Sequence, residues 1–210
     1  MELNISADKF AVVRDCYFEY FIKIYSGQGK RKDRVMDEAM QEFDYKMNNE
    51  IPARFKLFKE DLGERAIDVG CGDGLMGILL ALSCPKIHIV LVDNNDWLWR
   101  KENNRGYSHY SLTPAIRVVE ELNIQNVTIL TEYFYSLERS GMLKDFDTVF
   151  AFYSVCFIPV NSLVKLVKPE GNLYYAGERN GYKGWYGEER EYQKHEDGTC
   201  GYVIYNPKRN

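Results

Sequence analysis

The sequence predicts an α/β fold: a mostly parallel sheet covered on both faces by helices and closed by an antiparallel hairpin. Three observations predict it. From residue 65 onward, short apolar runs alternate with helical patterns, the signature of parallel strands buried on both sides. The turn Asp68-Val69-Gly70-Cys71-Gly72-Asp73-Gly74 stands directly between the first apolar run and a helix. Near the end, residues 189–196 and 199–205 flank Asp197-Gly198, a strong short-range hairpin signal.

The elements follow in order. Residues 7–25 place Phe10, Val13, Tyr17, Phe21 and Ile24 at helical spacing behind Ser6 as N-cap. A glycine-rich basic linker, 26–32, follows. A second helical pattern puts Val35, Met36, Ala39, Met40, Phe43 and Met47 on one face until Pro52 interrupts it, and a short 55–62 piece leads onward. Strands are expected at 66–69, 87–92, 127–130, 146–152 and 172–176, and helices at 75–83, 112–122 and 160–167. In the second of these helices Thr113 is the expected cap and Pro114 the first residue. The last helix should end before Lys168-Pro169-Glu170-Gly171. The chain thus divides into a helical extension or lid, 1–62, and an α/β domain, 63–210.

The 210 residues suffice for one sizeable core, and 45% hydrophobic with 28% charged residues is ordinary for a globular protein. No apolar run reaches the ~20 residues of a membrane span, and the first ten residues lack the apolar stretch of a signal peptide. The five cysteines are scattered, odd in number and without clamp spacing. Free thiols in a reducing, cytoplasmic compartment are expected, with no metal site. A formal charge of −4 argues against a protein built to coat nucleic acid.

The glycine turn lets backbone approach a ligand closely at a helix N-terminus. Asp93 ends the second strand, where a carboxylate can accept ribose hydroxyls. Gly72-Asp73-Gly74-Leu75-Met76-Gly77 also matches the G-x-G-x-x-G dinucleotide pattern, so a nicotinamide-dependent oxidoreductase is the alternative of another class. Three features favour S-adenosylmethionine. Asp68 lies inside the strand, badly placed beside a pyrophosphate but suited to a cationic amino-acid ligand. The chain ends in a hairpin. A long helical extension precedes the first strand, where dinucleotide folds usually begin.

These motifs, DVGCGDG, LVD at Asp93, FDTVFAFYSV from Phe146 and LVKPEGNL from Leu166, resemble the ordered motifs of class I S-adenosylmethionine-dependent methyltransferases over roughly residues 65–207. The resemblance implies a Rossmann-like three-layer sandwich with a seven-stranded sheet in the order 3-2-1-4-5-7-6. It implies that Asp68, Gly70, Cys71 and Gly72 line the methionine end, that Asp93 binds the ribose and that Asn94 sits beside the adenine. Glu132, Tyr133 and Phe134 would flank the adenine ring. Ala151, Phe152 and Tyr153 would face the sulfonium and the acceptor.

Methyl transfer needs a positioned acceptor and a dry site, and a general base only when the nucleophile holds a tightly bound proton. Tyr153 and Glu178 are the catalytic candidates. The fourth strand ends in Ala151-Phe152-Tyr153-Ser154 with no proline before Pro159. It lacks the Asn/Asp-Pro-Pro-aromatic loop of many nucleic-acid amino-methylating relatives, so a small-molecule acceptor is expected. The run from Gly74 through Ala81, Pro85 and LVD also looks like the bacterial small-subunit rRNA guanine-N7 methyltransferases of the glucose-inhibited division protein B type. There the fourth strand ends in Ser-Arg-Ala and the fifth in Lys-Gly, whereas here the positions read Phe152-Tyr153-Ser154 and Glu178-Arg179. RNA is therefore the second choice of partner, and a non-catalytic methyltransferase-like binding subunit is a third reading. The segments 97–110 and 178–187 are candidates for substrate contact or gating. His88 reads as a satisfied strand residue, His109 as a weak base candidate, and His195 clusters with neither. The sequence leaves oligomeric state open.

Overall fold

The computed structural model describes residues 3–27, 31–56, 58, 62–94, 111–152, 158–177, 188–194 and 200–205, the backbone alone for 175–177, 188–194 and 200–205. Seven strands form one sheet: β1 (Arg65–Val69), β2 (His88–Val92), β3 (Val127–Leu130), β4 (Phe146–Phe152), β5 (Val167–Gly177), β6 (Glu188–Lys194) and β7 (Cys200–Tyr205). Their order is β3-β2-β1-β4-β5-β7-β6, as the resemblance implies. The first five pair in parallel, and β7 runs antiparallel to both β5 and β6. The turn at 195–199 lies outside the described residues. The order reverses between β1 and β4, so the carboxyl ends of these strands flank the crevice where such sheets bind ligands.

Successive strand residues point to opposite faces, and the core divides accordingly. Ala66, Ile89, Leu91, Phe150, Phe152 and Tyr174 belong to one apolar cluster. Ile67, Val69, Val90, Val92, Val149, Ala151 and Leu173 belong to the other. The first cluster is closed by α1 (Ala7–Gly27), α2 (Lys32–Tyr45), α3 (Ile51–Phe55), α4 (Leu75–Ser83) and α5 (Thr113–Glu121). The second is closed by α6 (Phe134–Ser140) and α7 (Val160–Val164). Gly77 allows α4 to lie against β2, because a Cβ there would overlap Leu91. His88 is satisfied within the sheet, its Nε2 standing 2.9 Å from Thr128 Oγ1.

Four expectations are corrected. Pro52 does not interrupt the second helix. A π turn, Lys46–Glu50, joins α2 to α3, with Ile51 N–H donating to the Lys46 carbonyl. The wider turn carries the helical path past a residue that has no N–H to give. It also keeps Val35, Ala39, Phe43, Ile51 and Phe55 buried. Each four-residue step overshoots a 3.6-residue turn by about 40°, and the π turn takes part of that drift back. Second, Met36 and Met40 are not on the buried face: they are 47% and 56% exposed. Third, Thr113 is itself the first residue of α5, Pro114 falls inside the first turn and Leu112 is the cap. The Thr113 N–H instead faces Ser111 Oγ at 3.4 Å. Fourth, α7 stops at Val164. Val167 already pairs with Phe146, and the 168–171 stretch bulges before Asn172 pairs with Thr148.

The bulge serves the lower edge of the sheet. Lys168 Nζ lies 2.6 Å from Asp147 Oδ1, while Asp147 Oδ2 accepts the backbone N–H groups of Glu64 at 3.0 Å and Arg65 at 2.9 Å. Beside it Thr148 Oγ1 donates to the Leu62 carbonyl at 2.8 Å, wholly buried. These bonds tie the chain entering β1 to β4. Thr148→Val keeps the shape and removes that donor, leaving a buried carbonyl unpaired. Urea unfolding should show a loss of about 1–2 kcal/mol.

Candidate cofactor site

The site grows out of the end of β1. The strand's bonding to β2 continues one step into the turn: the Gly70 and Cys71 N–H groups both donate to the Val92 carbonyl, at 2.7 and 3.2 Å. Then Gly70, Gly72 and Gly74 take φ of 68°, 63° and 75°, values that L side chains rarely adopt. Gly74 N–H closes the turn on the Cys71 carbonyl at 3.0 Å, and Ile78 N–H opens α4 on the Gly74 carbonyl at 3.0 Å. Asp73 Oδ1 accepts the Leu75 N–H at 3.1 Å, satisfying one orphan donor of the helix start. Asp93, just past β2, accepts the Gly72 N–H on Oδ2 at 2.9 Å.

Three carboxylates surround this turn, all buried: Asp68 (3% exposed), Asp73 (5%) and Asp93 (9%). Asp68 lies on the same face as Ala66 by strand alternation. Burial pushes its carboxyl up to about 7, with Arg54 pulling the other way and Asp93 and Asp73 adding to the rise. The Cys71 thiol is held far above its usual range by burial and then by Asp68, Asp93 and Asp73. It stays neutral at physiological pH and is a wall, not a nucleophile.

Two cations from the helical extension, buried Lys46 and half-buried Arg54, answer the acids. Lys46 Nζ stands 3.2 Å from Asp73 Oδ2 as a charge contact without an aligned hydrogen bond. It also lies 3.7 Å from Glu50 and 3.9 Å from Glu42. Arg54 pairs with Glu50 at 2.5 Å and lies 5.1 Å over the Phe152 ring. Among the described residues, Asp68, Asp73, Asp93, Glu42 and Glu50 thus outnumber Lys46 and Arg54. Such a field repels a pyrophosphate and attracts a cation. S-adenosylmethionine, with a sulfonium, an ammonium and one carboxylate, carries the sign that the site accepts.

The structure brings Asp68, Gly70, Cys71, Gly72 and Asp93 together. Asn94 follows Asp93, half-buried at the same tip. The third expected group divides: Glu132 and the 56%-exposed Tyr133 face outward, while Phe134 opens α6 and is buried beside Leu137. Phe152 stacks with Phe150 at 6.3 Å, and Ala151 is buried in the opposite cluster. Tyr153, Glu178, the segments 97–110 and 178–187, His109 and His195 lie outside the described residues. Tyr17, expected with Tyr20, Tyr25 and Tyr45 as an acceptor contact, instead bonds the Asp73 carbonyl. Lys46, Glu50 and Arg54 were missed as partners of the site. Their signal was present in Lys46, a cation within a helical face otherwise buried through Phe43 and Ile51, with acids four residues to either side.

A family model for the methyltransferase small domain matches residues 54–103, which span the turn and Asp93. Ribosomal RNA small subunit methyltransferase G of Thermotoga maritima is 26% identical over 88% of this chain and 73% of its own length. Among solved structures, an S-adenosylmethionine-dependent methyltransferase from Aquifex aeolicus shares the fold with a TM-score of 0.51 at 15% identity, covering 78% of this chain and 93% of that one. An O-methyltransferase family protein from Burkholderia thailandensis does so with a TM-score of 0.53 at 11% identity, over 85% and 61%. Strand order, the glycine turn with its acids and the sequence matches make this chain a class I S-adenosylmethionine-dependent methyltransferase. Within that class its sequence resembles ribosomal RNA small subunit methyltransferase G.

The raised Asp68 carboxyl makes stability depend on pH. Between its unfolded value of 3.8 and about 7, the native chain keeps a proton that the unfolded chain has released. This favours folding at low pH, and the contribution fades as pH rises through that window. Asp68→Asn cannot titrate. In cofactor-free urea titrations at pH 5 and pH 8, the variant should gain stability relative to wild type at the higher pH.

Proposed function

We propose that the enzyme moves the methyl group of S-adenosylmethionine to a nitrogen or oxygen of a small-molecule acceptor. The observation that carries this reading is the rim of the site. The cations described there, Lys46 and Arg54, are engaged by Asp73, Glu42 and Glu50, and the end of β4 is aromatic. Such a rim suits a compact apolar or aromatic nucleophile better than a phosphate chain.

In this reading Asp68 receives the cofactor's ammonium, and the backbone of Gly70, Cys71 and Gly72 lines the amino-acid end. Asp93 takes the ribose hydroxyls. Asn94, Glu132 and Tyr133 border the adenine, and Phe134 lies behind them in the core with Leu137. Ala151 and Phe152 border the sulfonium end beside Tyr153. When bound, the cofactor supplies a methyl carbon already activated for in-line displacement. The chain's own task is to orient the acceptor and exclude water, with Tyr153 and Glu178 to hold or take the acceptor's proton. Residues 1–62 form the wall or lid, and 63–210 the catalytic domain. Among the described residues the free thiols of Cys16 and Cys71 support a cytoplasmic setting.

A second reading, methylation of ribosomal RNA, rests on the similarity to ribosomal RNA small subunit methyltransferase G over most of both chains. Labelled S-adenosylmethionine separates the two. Small amines, phenols and nucleosides should take up label, and undermethylated small-subunit RNA should not. Label in the RNA alone overturns the small-molecule reading. Asp93→Ala should weaken S-adenosylhomocysteine binding in calorimetry at least about tenfold while circular dichroism stays unchanged. Wild-type affinity should be flat above about pH 8 and fall below about 7, because Asp68 must shed its proton to receive an ammonium.

A further inference from the structure

The helical extension grips Asp73 of the cofactor turn twice. From the π turn, Lys46 Nζ faces the Asp73 carboxylate at 3.2 Å. From α1, the Tyr17 hydroxyl donates to the Asp73 backbone carbonyl at 2.8 Å, fully buried. Asp73 sits between Gly72 and Gly74, both at positive φ, and its own Oδ1 holds the first N–H of α4. A turn with that many glycines has little preference of its own for one shape. Its curvature is set by whatever holds its two side chains, and Asp73 is the one the extension grips.

The holding is expensive to build, which argues against an incidental contact. Lys46 is one of the few buried polar side chains among the described residues. An ammonium withdrawn from water is tolerated only with close carboxylate partners. Glu42 and Glu50, one turn before and after, keep it charged and aim it at Asp73. The π turn places Lys46 on the apolar face, and such turns often occur at functional positions.

We infer that Lys46 and Tyr17 are positioning residues of the methyltransferase, which hold Asp73 so that the glycine turn keeps the shape that receives the amino-acid end of the cofactor. Neither touches the cofactor. The extension is then a built-in part of the cofactor site. The inference rests on the reading that Gly70, Cys71 and Gly72 line the methionine end, and it is indifferent to the acceptor.

The test compares two ligands. S-adenosylhomocysteine carries the amino-acid end, and methylthioadenosine lacks it but keeps the adenosine. Lys46→Met alone strands an uncompensated Asp73, so the variant used is the pair Lys46→Met with Asp73→Asn. It removes both charges and keeps the amide oxygen for the Leu75 N–H. Calorimetry should show S-adenosylhomocysteine binding weakened by about tenfold or more, the scale of a misplaced recognition element. Methylthioadenosine should stay within about threefold. Unchanged binding of S-adenosylhomocysteine, or equal loss on both ligands, overturns the inference. Should the double variant not fold, Tyr17→Phe carries the test: it loses the second grip at the cost of one hydroxyl and should show the same preference for loss on S-adenosylhomocysteine. A wild-type protein that binds methylthioadenosine and S-adenosylhomocysteine equally overturns the assignment of the methionine end itself, and the inference with it. That result is distinct from a variant-specific failure.

Discussion

Three carboxylates packed around one glycine turn are the constraint to which the rest of the molecule answers. Asp68, Asp73 and Asp93 are buried around that turn, and the charges of Asp93 and Asp73 add to the rise that burial gives the Asp68 carboxyl. Each has a different answer. Asp93 takes a backbone N–H of the turn. Asp73 takes a helix-start N–H and a lysine. Asp68, raised by burial to about 7, is opposed by the charge of Arg54. The arrangement is costly without a ligand and is relieved by a positive one. Affinity for a sulfonium compound is thereby built into the resting protein.

The two faces of the sheet are unequal for the same reason. The face that carries Val69, Ala151 and Leu173 is closed by two short helices. The face that carries Asp68 must bring cations to the acids and still exclude water. It recruits the extension with its aromatic underside, where Phe58 meets Phe150 at 4.8 Å and Tyr174 at 5.2 Å. The tyrosine and the lysine that reach Asp73 come from this layer. Burying large aromatics there supplies the free energy that holds the charged pair out of water.

Legibility followed how local each signal was. The parallel strands were readable because their apolar runs are bounded by turns, and the cofactor turn because its glycines and Asp93 lie in strict order. The hairpin was readable from Asp197-Gly198. The second helix was misread at two places. Pro52 looks like a stop only if helical turns are all of one width, and Met36 and Met40 look like core only if the helix has a broader buried stripe than Val35, Ala39 and Phe43 provide. The early end of α7 was hidden because Val167 suits a strand as well as a helix. Phe134 was legible as an aromatic at a strand end but not as the start of α6, which turns its ring into the core. The extension's link to the site was least legible, since it joins Tyr17 and Lys46 to Asp73 across 56 and 27 positions of chain, and no periodicity carries that.

The electrostatics that select the cofactor also bear on the acceptor. A site whose acids outnumber its cations has little to offer a phosphate backbone unless basic residues are brought to the rim from elsewhere. The methyl donor brings its own positive charge and leaves as a neutral thioether, so the transferred charge must end on the acceptor or leave as a proton. In the proposed placement, buried carboxylates near the sulfonium would stabilise the charged donor more than the product, which by itself opposes transfer. The enzyme offsets that opposition by orientation and by desolvating the nucleophile. For an apolar or aromatic acceptor the desolvation is cheap, and the aromatic end of β4 supplies the surface for it. For a nucleotide in an RNA strand the same step would require stripping phosphates of water beside an acidic cluster. Physical cost and sequence similarity therefore point to different acceptors.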